Sequence, residues 1–333
     1  MPKGDKMRAI VQDAYGSSNV LRLMEIDLPE IAADEVLIDV VAAGMDRGTW
    51  HVMAGEPYLM RIMGFGFSRP KNRVPGLDVA GIVVAVGSEV TRFHPGDEVF
   101  GMSRGAFAEY AAVREDKLTH KPANLSFEQA AVVPISGGTA IQGLRDAGHI
   151  EAGQSVLVIG ASGGVGSYAV QLAKAFGAKV TGVSSTAKGD FVRSIGADYV
   201  LDYTRDAYLD GTKKYDLILD IGGNNPLARL RRVLTTKGTL GIVGGEEGGS
   251  LTGGFGRQLG ALVLSMFVSQ RLTMLASKER HTDLEALRPF LESGQVIPVI
   301  DRAYPLAEVP NAMSHLEAGL AKGKIAIAVQ ARA

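Results

Sequence analysis

The residues best placed to do chemistry are a run of glycines. Gly160-Ala161-Ser162-Gly163-Gly164-Val165-Gly166 follows the apolar segment Ser155 to Ile159. It opens a stretch with apolar residues at Val165, Ala169, Leu172, Ala173 and Phe176. Those offsets mark one face of a helix, and Gly177 is a fitting left-handed terminator. A strand, a glycine turn and a helix in that order let backbone N–H groups approach a pyrophosphate, and the helix N-terminus adds partial positive charge. In the G-x-G-x-x-G frame Ala161 replaces the first glycine, while Gly163 and Gly166 hold the other two. Gly163 and Gly164 would admit the phosphates, and Gly166 would let helix and strand pack closely. A ligand-free turn could use the same residues, but the strands and helices alternating around it favour a dinucleotide.

The end of the next strand bears on which dinucleotide. A site selective for NAD carries an acid about 20 residues further on, to hold the ribose 2′-hydroxyl. Here Val183-Ser184-Ser185-Thr186-Ala187-Lys188 contains no acid, and the first is Asp190. A carboxylate would repel a 2′-phosphate, whereas hydroxyls and a lysine accommodate one. NADPH is therefore expected, with Ser185 and Lys188 as phosphate ligands, against the alternative of a solvated loop.

Composition bounds the rest. The 333 residues suggest two domains, and 46% hydrophobic content supports full cores rather than disorder. Basic and acidic residues nearly cancel, 35 against 36, which argues against a nucleic-acid binder. There is no cysteine, so disulfides and thiolate metal sites are excluded. The six histidines, at 51, 94, 120, 149, 281 and 315, lack ligand-like spacing. Met1 to Lys6 lead into a strand-like segment rather than a signal core, and the apolar stretch Leu259–Val268 is too short to span a bilayer. A soluble, cytoplasmic protein without a membrane span is the expectation.

Positioning these residues calls for two kinds of domain. Up to about residue 120, short β-branched runs such as Glu35–Val41 and Val79–Val86 alternate with turns such as His94-Pro95-Gly96-Asp97. Ser126-Phe127-Glu128-Gln129 has the pattern of a capping box opening a helix. Further strands are expected at Lys179–Ser184, Tyr199–Tyr203, Leu217–Ile221, Thr239–Val243 and Leu272–Ala276. That alternation predicts an α/β fold with a doubly wound parallel sheet. The closing segments Val296–Tyr304, Glu308–Gly319 and Lys324–Val329 break the alternation. We read a mostly-β domain over 1–125 with a C-terminal return at 296–333, and a dinucleotide-binding domain over 126–295.

With these segments in view, the chain resembles the medium-chain dehydrogenase/reductase superfamily. The resemblance rests on Gly160–Gly166 with Ala169–Lys174, and on Arg193–Asp198 leading to Leu201-Asp202-Tyr203. It also rests on Pro75–Gly81, Val90–Gly101, Val299–Arg302 and Gly323-Lys324. It covers nearly the whole chain and implies a GroES-like catalytic domain joined to a Rossmann domain. Zinc alcohol dehydrogenases carry a cysteine where this chain has Asp46, and a His-Glu pair where it has Leu77-Asp78. Their third ligand position falls near Ile135. Leucine and isoleucine cannot bind zinc, so the zinc-independent, quinone oxidoreductase-like branch is implied, with no metal.

The resemblance also implies site residues. Ser162, Gly164 and Val165 would line the pyrophosphate, and Ser185, Lys188 and Tyr203 the 2′-phosphate. Thr139 would stand near the nicotinamide, with Gly222, Gly244, Gly245 and Lys324 around it and its ribose. Asp46, where the family commonly has asparagine, and Tyr58 are candidate proton donors or oxyanion partners, although Asp46 could equally cap a loop. Trp50 and Tyr58 are candidate pocket residues, and Trp50 to Arg73 an adaptable apolar lid or ordinary core. Leu259–Val268 could flank the pocket, a subunit interface or a membrane surface. The expected activity is NADPH-dependent reduction of a small hydrophobic quinone or α,β-unsaturated carbonyl. A zinc-free alcohol or ketone dehydrogenase and a non-catalytic NADPH-binding scaffold remain alternatives. A homodimer through the edge strand Leu272–Ala276 is expected.

Overall fold

A computed structural model describes residues 5–244 and 249–330. Gly245, expected near the nicotinamide, lies outside the described residues. The chain divides into two units. One holds residues up to Ser136, Glu279–Glu292 and the chain from Pro298 onward; the other holds Gly137–Lys278 and Ser293–Ile297.

In the first unit, β1 (Lys6–Val11) pairs antiparallel with β2 (Arg22–Asp27). The longest strand, β3 (Glu35–Met45), is buried along most of its length, as its run of valines and alanines requires. It feeds α1 (Arg47–Ala54). Then come β4 (Asp78–Val86), β5 (Glu98–Met102), β6 (Tyr110–Arg114), β7 (Leu118–His120) and α2 (Phe127–Ala131). The α2 capping box forms as the sequence predicts: Gln129 N–H donates to Ser126 Oγ at 3.1 Å, and Ser126 N–H donates to Gln129 Oε1 at 3.0 Å.

The division falls inside α3 (Pro134–Ile141), later than the expected 125/126, because α2 packs on β3 and β4. The second unit then alternates regularly. It runs β8 (Ser155–Ile159), α4 (Gly164–Ala175), β9 (Lys179–Ser184), α5 (Gly189–Ser194), β10 (Tyr199–Asp202), β11 (Tyr215–Asp220), α6 (Leu227–Arg232), β12 (Leu234–Ile242), α7 (Phe255–Ser265) and β13 (Arg271–Met274). The strands form one parallel sheet in the order β10-β9-β8-β11-β12-β13. Chain direction across the sheet reverses between β8 and β11, and the carboxyl ends of strands at such a reversal are where ligands bind. The glycine turn after β8 sits there.

The chain then re-enters the first unit through α8 (His281–Glu292), β14 (Ile300–Pro305), α9 (Val309–Glu317) and β15 (Lys324–Ala328). Helix α8 goes with this unit because His281 Nδ1 meets the Asp116 carbonyl at 2.9 Å and Asn124 Nδ2 donates to the Leu291 carbonyl at 3.0 Å. β15 pairs antiparallel with β3. The resulting order is β14-β15-β3-β4-β5-β7, with β6 also paired to β3. Each unit has its own apolar core, around Ile38, Phe93 and Phe107 in one and Leu157, Ile218 and Leu240 in the other.

Candidate functional site

In the second unit Gly160 has φ +84°, a left-handed conformation that glycine adopts without strain. A side chain at Gly166 would place its Cβ 2.1 Å from the Gly160 carbonyl oxygen, so only glycine lets α4 sit this close to the turn. The N-cap of α4 is Gly163, and no side chain caps it. A Cβ on Gly163 would meet only the Gly160 oxygen, at 3.5 Å, so packing leaves room in front of the helix. An uncapped, twelve-residue helix with room at its N-terminus suits a pyrophosphate. Beside it lies a cavity of about 680 Å³, lined among others by Gly160, Ser162, Val183, Tyr203, Gly222 and Arg229. The residues fit a dinucleotide.

Ser185 follows β9 and precedes the single turn Thr186–Lys188, where Lys188 N–H donates to the Ser185 carbonyl at 3.0 Å. Tyr203 follows the neighbouring strand β10; its N–H donates to the Ser184 carbonyl at 3.1 Å, and the residue is 58% exposed. The three residues expected at the 2′-phosphate thus stand at the ends of adjacent strands. Sequence reading missed Asp202, which shares this corner. Bonds from the Thr186 and Thr204 hydroxyls hold its carboxyl below the usual range. Thr186 takes one oxygen, and the other accepts Thr204 Oγ1 at 2.7 Å and Thr204 N–H at 2.9 Å. The acid is thereby occupied by its own loop.

Thr139 is buried and its hydroxyl lies 3.0 Å from Ser277 Oγ. Gly222 and Gly244 follow β11 and β12, and a second unforeseen residue ties these loops together. Arg257, in the first turns of α7, donates to Asp220 Oδ2 at 2.5 Å and to the Asn225 carbonyl at 3.1 Å. Its other nitrogen reaches the carbonyls of Gly223 at 2.9 Å and Gly244 at 3.1 Å. Burial raises the Asp220 carboxyl, against the bond and the charge of Arg257.

In the first unit Asp46 caps α1, accepting Thr49 N–H at 3.0 Å and Thr49 Oγ1 at 3.2 Å. Its other oxygen accepts the Lys324 ammonium at 3.0 Å, and Lys324 also donates to Asp78 Oδ2 at 2.9 Å. Asp78 Oδ1 accepts the Ile135 N–H at 2.8 Å. Asp46, Asp78 and Lys324 are 7%, 0% and 1% exposed. Lys324, expected around the nicotinamide and ribose, is committed here to two carboxylates. Those carboxylates and Ile135 occupy or adjoin the positions where zinc relatives carry metal ligands. Among the described residues no group of three His, Cys, Asp or Glu side chains could hold a metal. Trp50 packs partly against this core, and its Nε1 donates to Glu317 at 2.9 Å. Tyr58 is 43% exposed, with the Arg61 guanidinium 4.5 Å from its ring centre.

The two carboxylates are not equivalent. Burial opposes the Asp46 charge, but Lys324 and the two Thr49 bonds outweigh it and hold the carboxyl below its ordinary value. Asp78 has fewer donors and faces the Asp46 charge, so burial raises it to about 6 despite Lys324. Burial disfavours the Lys324 ammonium, yet the carboxylates raise its pKa. Because the folded Asp78 binds its proton more tightly than the unfolded value of 3.8, its contribution favours the fold below pH 3.8 and is lost as pH rises through about 6. The Asp46 effect has the opposite sign and falls below that window. Urea unfolding at several pH values should therefore show the wild type gaining stability over Asp78→Asn by up to about 3 kcal/mol between neutral pH and pH 4. Parallel pH profiles would contradict this.

Comparison with known proteins agrees with this architecture. The model for the alcohol dehydrogenase GroES-like domain matches residues 32–123, and that for zinc-binding dehydrogenases matches 195–327. A 2-methylene-furan-3-one reductase of Solanum lycopersicum is 38% identical, over 97% of this chain and 79% of the relative. A chloroplastic NADPH-dependent alkenal/one oxidoreductase of Arabidopsis thaliana is 36% identical over the same shares. The solved structure of Escherichia coli quinone oxidoreductase complexed with NADPH superimposes with a TM-score of 0.83 at 26% identity, covering 97% of this chain and all of that one. The chain belongs to the medium-chain dehydrogenase/reductase superfamily, as a quinone oxidoreductase-like member.

Proposed function

We propose that this protein is an NADPH-dependent reductase delivering hydride to a quinone or α,β-unsaturated carbonyl. The observation that carries the proposal is the bare glycine N-terminus of α4 beside a cavity of dinucleotide size. The names of its relatives in tomato, Arabidopsis and E. coli support the reaction and the cofactor.

When bound, the nicotinamide supplies the hydride. The chain binds and orients. The first-turn N–H groups of α4, from Gly164 onward, and Ser162 would hold the pyrophosphate, and Ser185, Lys188 and Tyr203 would hold the 2′-phosphate. Thr139 and the loops of Gly222 and Gly244 would border the nicotinamide, and Arg257 ties those loops together. An acceptor that already carries a conjugated carbonyl asks little more than orientation from the protein. No catalytic metal is assigned, since the side chains of Leu77 and Ile135 offer no donor atom.

A proton must follow the hydride. Asp46 suits that task poorly, because its carboxyl is held ionised by Lys324 and Thr49. Tyr58 keeps an exposed phenol and is the side chain proposed for it, with solvent as the alternative source. We place the enzyme in the cytoplasm as a homodimer. The edge strand β13 and the exposed apolar residues Leu259, Met266 and Phe267 support the pairing. A monomeric mass in light scattering would contradict it.

Chelator-treated protein mixed with NADPH and a panel of quinones and enones tests the reaction. Loss of NADPH absorbance that survives chelation is expected. A sample that binds NADPH yet reduces none of the panel would overturn the proposal in favour of a binding role.

A further inference from the structure

The loop that follows α1 in the first unit turns large apolar side chains to water. Ile62, Met63 and Phe67 are 67%, 68% and 76% exposed. The backbone beneath them is tied down. The Tyr15 hydroxyl reaches the Phe65 and Gly66 carbonyls at 3.0 and 2.7 Å. Arg61 Nε donates to the Gly55 carbonyl at 2.8 Å, and Lys71 N–H donates to the Phe65 carbonyl at 2.8 Å. Gly66, at φ +111°, makes the bend, and a Cβ there would lie 2.1 Å from the Arg69 carbonyl oxygen. A fixed loop thus holds three apolar tips out in solvent, and a patch of this kind marks an interaction surface.

The charge around the tips has one sign. From Pro57 to Leu77 the chain carries Arg61, Arg69, Lys71 and Arg73 and no acid. Arg73 is paired with Asp13 at 2.7 Å, and the same carboxylate feels the charge of Arg69. Arg61 and Lys71 form no ion pair among the described residues, and the Arg61 guanidinium lies over the rings of Tyr15 and Tyr58. Arg104 adds a further positive charge 5.9 Å from the Phe65 ring centre. A shallow depression of about 490 Å³ is lined by Arg61, Ile62, Phe67, Arg69 and Lys71, so cations and apolar tips share one surface. A second copy meeting through this loop would set Arg69 and Lys71 of the two protomers against each other. An anionic lipid surface suits both features, since its phosphates attract the cations and its acyl boundary takes the apolar tips.

We infer that this loop docks the protein on an anionic membrane surface. Ile62, Met63 and Phe67 enter the boundary between headgroups and acyl chains, and Arg69, Lys71 and Arg104 meet the lipid phosphates. The docking is peripheral, as no helix among the described residues is long and apolar enough to cross a membrane. It would bring the enzyme to the phase into which hydrophobic quinones and enones partition. It requires neither cofactor nor turnover, so it stands or falls separately from the proposed reaction.

The experiment sediments the protein with vesicles of phosphatidylcholine alone and of phosphatidylcholine mixed with phosphatidylglycerol. The variants are Ile62→Ser/Phe67→Ser and Arg69→Gln/Lys71→Gln, with thermal melts and NADPH binding to check folding. The wild type should bind the mixed vesicles and not the neutral ones, and added salt should weaken that binding. Loss of the two cations should weaken it about thirtyfold, a factor of about five for each. Loss of the two apolar tips should weaken it by about tenfold or more. A wild type that ignores the mixed vesicles, or folded variants that bind them equally well, would overturn the inference. A self-associated mass that falls in Ile62→Ser/Phe67→Ser, without vesicle binding by the wild type, would overturn it in favour of a second copy. Binding to polyglutamate in place of the vesicles would overturn it in favour of an acidic protein partner.

Discussion

The ammonium of Lys324, held between Asp46 and Asp78 away from water, fixes the frame of the first unit. It begins β15, while its partners follow β3 and begin β4, 278 and 246 residues away in the chain. The Ile135 N–H, joined to Asp78, brings in the start of α3. Buried charges of this kind are expensive to separate: removing one partner costs about 3–5 kcal/mol, because the others are left uncompensated. The start of α1, and with it the origin of the segment from Trp50 to Arg73, is placed by the same cluster through the Asp46 cap. In this chain a buried lysine joins these positions.

The second unit reaches its order by the opposite route, through what it leaves unfilled. Gly166 brings α4 against the turn, and Gly163 leaves the helix N-terminus without a side-chain cap. The parallel sheet brings the ends of β8, β9 and β11 to one rim, where side chains and backbone line a cavity instead of packing it shut. Arg257 then binds the loops after β11 and β12 through three carbonyls and the Asp220 carboxylate. Loops already tied by hydrogen bonds lose less conformational freedom when a long polar cofactor binds beside them.

Much of this was legible in the sequence because the signals were local. The glycine turn, the capping box at Ser126 and the strand Lys179–Ser184 are each specified by neighbouring residues, and each forms where expected. The Lys324 cluster was not legible, since its members lie on three distant segments and each has an ordinary local explanation. The one available signal was that Asp78 kept its acid while Leu77 replaced a ligand, which leaves a buried carboxylate in need of a cation. Arg257 was hidden for a related reason: its partners are mostly backbone carbonyls, which carry no sequence signature, and it lies in a glycine-rich approach to an apolar helix. Asp202 is legible only as part of the resemblance, because its place beside the end of the second strand depends on the pairing of β9 with β10.

Reduction of an unsaturated carbonyl in this family requires hydride to pass from NADPH to the conjugated carbon. NADPH carrying deuterium at the transferred C4 position, incubated with the protein and a cyclic enone, tests it directly by mass spectrometry and NMR of the product. One deuterium is expected on the carbon β to the carbonyl, in a saturated ketone. Deuterium on the carbonyl carbon, in an unsaturated alcohol, would contradict it and identify a ketone dehydrogenase instead.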